Sequence, residues 1–313
     1  MASGGRNPDL VVITGPTAVG KTAVAVELAR RVETEVISAD SMQVYKFLSI
    51  GTAKPTTEEL KGIKYHLVDF VEPDYQYNLG DFVQDADAVI RRLRGNGKLP
   101  IVCGGTCLYL KGLLHGIFDI PSRDVEVRQR LEARCEAEGL AALYAELQRV
   151  DPAATHIRPN DRQRILRALE VWYVTDRPIS ELQQQFRAAP RYRAAVFVLG
   201  MNRETLYRRI EERIDNMLAR GLIDEARAYL EAGYSLDNPA VRALGYTELI
   251  SFLRNEISFE EAIAQMKRKT RNYAKRQFTW FRAMKDVVWI DVEGKPAAEV
   301  AEYIRESFGP VAG

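Results

Sequence analysis

The octapeptide Gly15-Pro16-Thr17-Ala18-Val19-Gly20-Lys21-Thr22 has the form G-x-x-x-x-G-K-[ST]. Its glycines let backbone N–H groups curl around phosphate oxygens, Lys21 supplies positive charge, and the Thr22 hydroxyl can reach a Mg²⁺ ion. The apolar run "LVVITG" (10–15) precedes the loop, and an amphipathic helix opening near Lys21 follows it. That helix adds the positive end of its dipole. The pattern implies a bound diphosphate or triphosphate, and no more. A nucleotide hydrolase would also want a carboxylate after an apolar strand, and Asp40, Asp69 and Asp291 all qualify, so that criterion does not choose.

Ligands of open α/β sheets sit beyond the carboxyl ends of the strands. Two further strand ends carry reactive groups: Asp40-Ser41-Met42-Gln43 and Gly104-Gly105-Thr106. Together with the loop they supply a phosphate cradle, a carboxylate beside an amide, and a hydroxyl beside a glycine pair. Asp40 reads equally as a loop-opening Asp, and Gly-Gly-Thr is also plain turn chemistry. A third element is "ETLYRRIEERIDNMLARGLIDEA", whose apolar stripe is Leu206, Ile210, Ile214 and Met217. Arg213 falls on or beside that inward face and needs an anionic partner, either a structural carboxylate or a ligand phosphate. Arg209 and Arg220 read as solvated.

Basic residues also interleave with aromatic ones in "MKRKTRNYAKRQFTWFRAMK" (266–285), which contains no acidic residue. Such a tract is either a solvated helix with an apolar underside or a surface that meets phosphates and stacks on unpaired bases. A second basic cluster, "RPNDRQRILR" (158–167), favours the latter, because two segregated basic tracts in a chain of net charge +1 imply a polyanion larger than a nucleotide.

The elements that must position these residues are legible. Short Val- and Ile-rich runs at 10–15, 35–40, 65–70, 99–105, 195–200 and 287–291 read as buried strands. Between Gly80 and Gly95, Phe82, Ala86, Val89, Ile90 and Leu93 share one helical face. The alternation predicts an α/β fold with a parallel sheet flanked by helices. It lapses from about Ser122 to Pro190, where helical segments predict an insertion. The expected organisation is therefore a first core part (1–121), a helical insertion (122–190) and a second core part (191–313).

The chain has 313 residues, 46% hydrophobic and 28% charged, which is ample for a buried core. No apolar run approaches the roughly 18 residues that span a bilayer. "MASGGRNPD" lacks an apolar segment and reads as a tail rather than a secretion signal. Cys103, Cys107 and Cys135 are too few and too irregular for a disulfide framework or zinc site, so a reducing cytoplasm fits. His66, His115 and His156 are scattered and receive no role.

The motifs "GPTAVGKT", "SADSMQVYKFLSIGTAKP", "GGTCLYLKGLLHG", "RPNDRQRILRALEV", "MLARGLIDEA", "ALGYTEL" and "KRQFTWFR" occur in this order over nearly the whole chain. In them the chain closely resembles the bacterial tRNA dimethylallyltransferase (tRNA isopentenyltransferase) family, which has a P-loop NTPase-like core. Val19 departs from the Ser of many members, with little expected consequence, and the zinc-finger extension of eukaryotic relatives is absent.

The resemblance implies transfer of a dimethylallyl group from dimethylallyl diphosphate to N6 of adenosine 37 in tRNAs reading codons that begin with U. It implies that the loop residues Gly15 to Thr22, with Arg213, hold the diphosphate, and that Thr22 faces Mg²⁺. It assigns the base role to Asp40 and places Thr106 at the reacting centre beside Lys21 and Arg213. It assigns tRNA contacts to Asp40, Ser41, Met42, Gln43, Thr106 and Arg128, and to Gln163, Arg164, Ile165, Leu166 and Arg167 of the insertion. Further tRNA contacts fall on Arg242, Ala243, Leu244, Gly245, Tyr246 and Thr247, and on Lys275, Arg276, Gln277, Phe278, Thr279, Trp280, Phe281 and Arg282. The partners implied are the tRNA anticodon stem-loop and dimethylallyl diphosphate, with no membrane and a monomeric chain. Rival readings are an adenylate isopentenyltransferase, a small-molecule kinase holding ATP in the loop, and a non-catalytic RNA-binding protein.

Overall fold

The computed structural model describes residues 8–117, 124–183 and 190–308. The expected boundary between residues 121 and 122, and most of the N-terminal tail, lie outside them.

Each of the six apolar runs holds a strand: β1 (Leu10–Thr14), β2 (Val36–Ser38), β3 (Tyr65–His66), β4 (Ile101–Cys103), β5 (Ala194–Gly200) and β6 (Val288–Asp291). They form one parallel sheet in the order β3-β2-β4-β1-β5-β6. β1, inner and covered on both faces, exposes none of its five residues. That is why it reads as an unbroken apolar run rather than an alternating one.

The helices between strands are α1 (Lys21–Arg31), α2 (Thr57–Leu60), α3 (Leu79–Gly95) and α4 (Cys107–His115). After β4 and α4 come α5 (Val125–Glu138), α6 (Leu140–Val150), α7 (Arg162–Thr175) and α8 (Ile179–Gln183). β5 is followed by α9 (Arg203–Ala219), α10 (Leu222–Glu231), α11 (Tyr246–Leu253) and α12 (Phe259–Arg282), and β6 by α13 (Ala297–Glu306). α3 buries Phe82, Ala86, Ile90 and Leu93 as the spacing requires, and Asn78 and Asp81 close its start with a reciprocal capping box. Among the described residues no helix is long and apolar enough to cross a membrane.

The chain divides into two compact units, Met1–Leu114 with Arg191–Gly313, and His115–Pro190. At the re-entry point of the first, Arg191 donates its backbone N–H to the Leu114 carbonyl at 2.8 Å. Its guanidinium pairs with the buried Asp87, which also accepts the Tyr192 hydroxyl at 2.7 Å. The second unit packs α5 to α8 around its own core, including Leu131, Leu143, Leu147, Ile165, Leu166 and Leu169.

Candidate active site

β1, β4 and β2 lie side by side, with Cys103 in register with both Ile13 and Ser38. The three loops leaving their carboxyl ends therefore start level. Backbone bonds knit them: Gly104 N–H to Ile13 at 3.2 Å, Ala39 N–H to Cys103 at 2.8 Å, and Thr106 N–H to Ala39 at 3.2 Å. The Thr14 hydroxyl adds a bond to the Gly104 carbonyl at 2.8 Å. A Cβ on Gly104 would sit 2.2 Å from the Ala39 carbonyl oxygen, so only glycine lets these backbones meet.

The phosphate loop curls through left-handed φ values at Ala18 (65°) and Gly20 (99°). Gly15 has φ 142°, and a Cβ there would lie 2.4 Å from the Leu199 carbonyl oxygen on β5. Val19 turns into the core at 2% exposure, so its side chain does not face the loop's hollow. Lys21 donates from Nζ to the Pro16 carbonyl at 2.8 Å. Burial, reinforced by the Arg213 charge, draws the Lys21 ammonium down to a pKa of about 8, against the opposing pull of Asp40. The Thr22 hydroxyl interacts with that of Tyr65, whose proton burial holds well above the usual phenol range.

Asp40 is held by an Asx turn, Oδ1 accepting the N–H groups of Met42 at 2.9 Å and Gln43 at 3.3 Å. The Thr106 hydroxyl oxygen accepts the Ser41 N–H at 3.0 Å, fixing it beside the same turn. Gln43 is buried, with Nε2 on the carbonyls of Thr52 (3.2 Å) and Ala53 (3.0 Å) and Oε1 accepting from Ser38 (3.3 Å). Its amide is thus bonded within the protein, and the residue also lines the larger of two adjoining cavities.

Two cavities adjoin here. The larger, about 470 Å³, is lined by Thr17, Ala18, Gly20, Lys21, Thr22, Asp40, Glu59, Tyr65, Arg213 and Tyr273. The second, about 310 Å³, shares Thr17, Ala18, Asp40, Arg213 and Tyr273 with the first. Its wall carries the apolar side chains of Met42, Ile210, Ile214, Met217, Leu244 and Met266, with Ser41, Thr52, Thr270, Arg242 and Arg276 also lining it. Arg213 lies between the buried Ile210, Ile214 and Met217 and forms no ion pair with a carboxylate among the described residues. Burial pulls its pKa down, with Asp40 and Glu59 opposing at longer range. That arrangement answers the alternative left open by the sequence: the guanidinium is directed at the cavities rather than locked in a structural ion pair. Arg209 and Arg220, read as solvated, are exposed but also line the larger cavity.

The basic, aromatic tract forms most of α12 and divides in two. Lys267 pairs with Asp215 at 2.6 Å, while Lys269 and Arg271 pair with Glu248 and Glu211. This half follows the solvated-helix alternative. Further along, Lys275, Arg276, Thr279 and Arg282 are exposed, and Phe278 and Trp280 are half-buried. Phe281 is fully buried and Gln277 is 3% exposed. Gln277 accepts the Thr17 N–H on Oε1 at 2.9 Å and donates from Nε2 to the Gly105 carbonyl at 2.8 Å. Both side chains are thus packed inside the first unit, and Gln277 also lines the larger cavity. Ala243 and Tyr246 are core residues as well and Gly245 is buried, whereas Arg242 and Thr247 are exposed and Leu244 lines the second cavity.

In the second unit Ile165 and Leu166 are wholly buried, because they form the inward face of α7. Arg128, also expected at the RNA, has its side chain largely buried and pairs with Glu132 at 2.7 Å and Glu170 at 3.8 Å. Arg167 pairs with Glu170 at 3.0 Å, and Gln163 and Arg164 are exposed.

Sequence reasoning gave Tyr65 no role, took Tyr273 only as part of the basic, aromatic tract, and named Gln277 as an RNA contact rather than as a bridge within the site. A signal for the last existed: Gln277 interrupts the stripe Met266, Ala274, Phe281, and a polar residue in an apolar stripe requires buried partners. His66, given no role, pairs with Glu35 at 2.5 Å.

Comparison with known proteins places this geometry. The IPP transferase family model matches residues 43–284, and the isopentenyl transferase model matches 8–70. The tRNA dimethylallyltransferase 1 of Pelobacter propionicus is 46% identical over 290 residues, covering 92% of this chain and 94% of its own. The tRNA dimethylallyltransferase of Thermomicrobium roseum is 47% identical, covering 92% and 87%. Among solved structures, the full-length tRNA isopentenylpyrophosphate transferase from Bacillus halodurans superposes with a TM-score of 0.70 at 39% identity, over 94% of this chain and 95% of that one. A eukaryotic dimethylallyltransferase acting on tRNA gives a TM-score of 0.79 at 30% identity, over 94% and 75%. The chain belongs to the IPP transferase family, the family of the tRNA dimethylallyltransferases.

Proposed function

We propose that this chain transfers the dimethylallyl group of dimethylallyl diphosphate to N6 of adenosine 37 in tRNAs that read codons beginning with U. The observation that carries the reading is the convergence of Lys21 and Arg213 on one cavity with the Asp40 carboxylate, next to a second, more apolar cavity that shares Asp40 and Arg213. Two cations and a loop of amides suit a diphosphate leaving group, whose departure needs charge neutralisation. The wall formed by Met42, Ile214, Met217 and Met266 suits the five-carbon group and the face of an adenine lying against it. Adenosine 37 must leave its stack to reach such a site.

Asp40 has one oxygen committed to its own turn, and the other is available to accept a proton from the adenine amine as the N6–C1 bond forms and the C1–O bond breaks. Lys21 and Arg213 stabilise the negative charge that moves onto the diphosphate. Thr106, anchored at Ser41, orients the groups beside Asp40. Thr22 offers a hydroxyl to the larger cavity, beside Asp40 and Glu59, a hard-oxygen donor set that fits Mg²⁺ shared with a diphosphate and water. Among the described residues no cluster of three or more His, Cys, Asp or Glu could hold a metal by itself. Bound beside Thr22, Mg²⁺ would neutralise charge on the departing diphosphate. The acceptor's phosphates are proposed to meet Arg242, Lys275, Arg276 and Arg282 in the first unit and Gln163 and Arg164 in the second. We place the protein in the cytoplasm, as a monomer.

The test is transfer of label from dimethylallyl diphosphate with Mg²⁺ to an unmodified anticodon stem-loop, beside AMP and ATP controls. Label in the RNA, lost when adenosine 37 is replaced, supports the reading. Label in AMP would move the chain to nucleotide prenylation, and ATP consumption without label would reinstate the kinase.

A further inference from the structure

Gln277 joins two parts of the site that reside on different elements. Its position is dictated by helix periodicity: on α12, Tyr273 and Gln277 are one turn apart on the inward side, while Lys275, Arg276 and Thr279 lie outward. The amide's orientation is unambiguous, because the backbone N–H of Thr17 can only donate and the backbone carbonyl of Gly105 can only accept. Pro16 has no N–H, so Thr17 carries the first amide after Gly15 in the phosphate loop, and Gln277 holds it. The same side chain passes so close to the Gly104-Gly105-Thr106 turn that a Cβ on Gly105 would lie 2.5 Å from Nε2. Within about one turn of it, Arg276 lines the second cavity and Tyr273 lines both.

We propose that Gln277 is a positioning residue that couples occupancy of the acceptor side to the shape of the donor's phosphate cradle. A load on Arg276 or Tyr273 is transmitted through one helical turn to the Thr17 and Gly105 backbones, and a filled cradle acts back on α12 in the same way. The coupling is reciprocal, as any equilibrium linkage must be. It rests on the reading that the loop holds the donor's diphosphate.

The experiment measures the affinity of the full-length chain for inorganic diphosphate with Mg²⁺, with and without saturating anticodon stem-loop RNA. In the unsubstituted chain the two values should differ by roughly 5-fold or more, the lower end of ordinary allosteric coupling. In Gln277→Leu, which fills the same space without either hydrogen bond, the ratio should fall to about one, with RNA affinity in the absence of diphosphate unchanged. Gly105→Ala attacks the bridge from its other partner by displacing the amide, and should collapse the ratio independently, which keeps the test decisive if Gln277→Leu folds poorly. An undiminished ratio in either folded variant, or a ratio of one in the unsubstituted chain, overturns the proposal. Failure of the unsubstituted chain to bind diphosphate overturns both the coupling and the reading beneath it. Binding and transfer with undiminished ratios overturn the coupling alone.

Discussion

Tyr246 donates its hydroxyl proton to Glu225, and that carboxylate also receives the backbone N–H groups of Ser49 (2.7 Å), Ile50 (2.8 Å) and Gly51 (3.1 Å). The loop so anchored presents the Thr52 and Ala53 carbonyls that hold Gln43, and Gln43 adjoins the turn of Asp40. Tyr246 therefore serves the site from the interior. Glu225→Ala should lower stability by about 2–3 kcal/mol, the scale of charge-assisted hydrogen bonds lost from a fixed loop. Turnover should fall more than RNA affinity. Denaturant titration beside binding and rate measurements checks both.

Asp40→Asn keeps an oxygen to accept from Met42 and Gln43, so the turn should persist. What it removes is the proton acceptor. Transfer should drop by about 10²–10⁴-fold, with RNA affinity within twofold of the original. Turnover close to the unsubstituted rate would remove Asp40 from the base role.

Lys21 sets a pH dependence. Its folded value of about 8, pulled down by burial, means that the donor-free site loses an ammonium as pH rises through 8. Affinity for a diphosphate analogue should therefore fall between pH 7.5 and 9.5, with proton uptake on binding near pH 8.5, readable by calorimetry in two buffers. Lys21→Arg should flatten the profile. The stability consequence has the opposite sense: between about 8 and 10.5 the unfolded chain binds more protons, so this group's contribution to stability rises with pH there, and its cost is fully present below 8.

Two halves of α12 should respond differently to charge removal. Replacing both Lys275 and Arg276 by Ala should weaken RNA binding and reduce the slope of log affinity against log salt by about one to two. Lys269 pairs with the buried Glu248, so Lys269→Ala should leave the salt slope unaltered and cost about 3 kcal/mol of stability by stranding that carboxylate. A changed salt slope in Lys269→Ala would place RNA on that half too.

These residues also mark what could be read before folding. β1 and the phosphate loop were legible because both depend on local pattern: a fully buried run, then glycines where φ turns positive. Arg213 was legible as an inward cation because helix periodicity assigns its face, but not its partner. The division of α12 was hidden, since Asp215, Glu211 and Glu248 reach it from α9 and α11 across separations of 21 to 60 residues. The environment of Arg128 was hidden for the same reason: Glu170, on another helix, engages it. Tyr65 carried no local mark, because only the β2–β3 and β2–β4 pairings bring it beside Thr22 and Cys103.

The placement of β1 bears on the order in which the chain can fold. It precedes the other described elements, yet it pairs with β4 on one side and with β5 on the other, and β5 begins at Ala194. His115–Pro190, with its own core, emerges between them. During translation that unit can complete while one edge of β1 still waits for its neighbour, an exposed template for mispairing. β5 then covers that edge of β1, and the phosphate loop meets the Leu199 backbone only after the insertion has been made. Refolding from denaturant should accordingly show the helical insertion recovering ahead of diphosphate binding, since the long-range pairing of β1 with β5 is the slow contact.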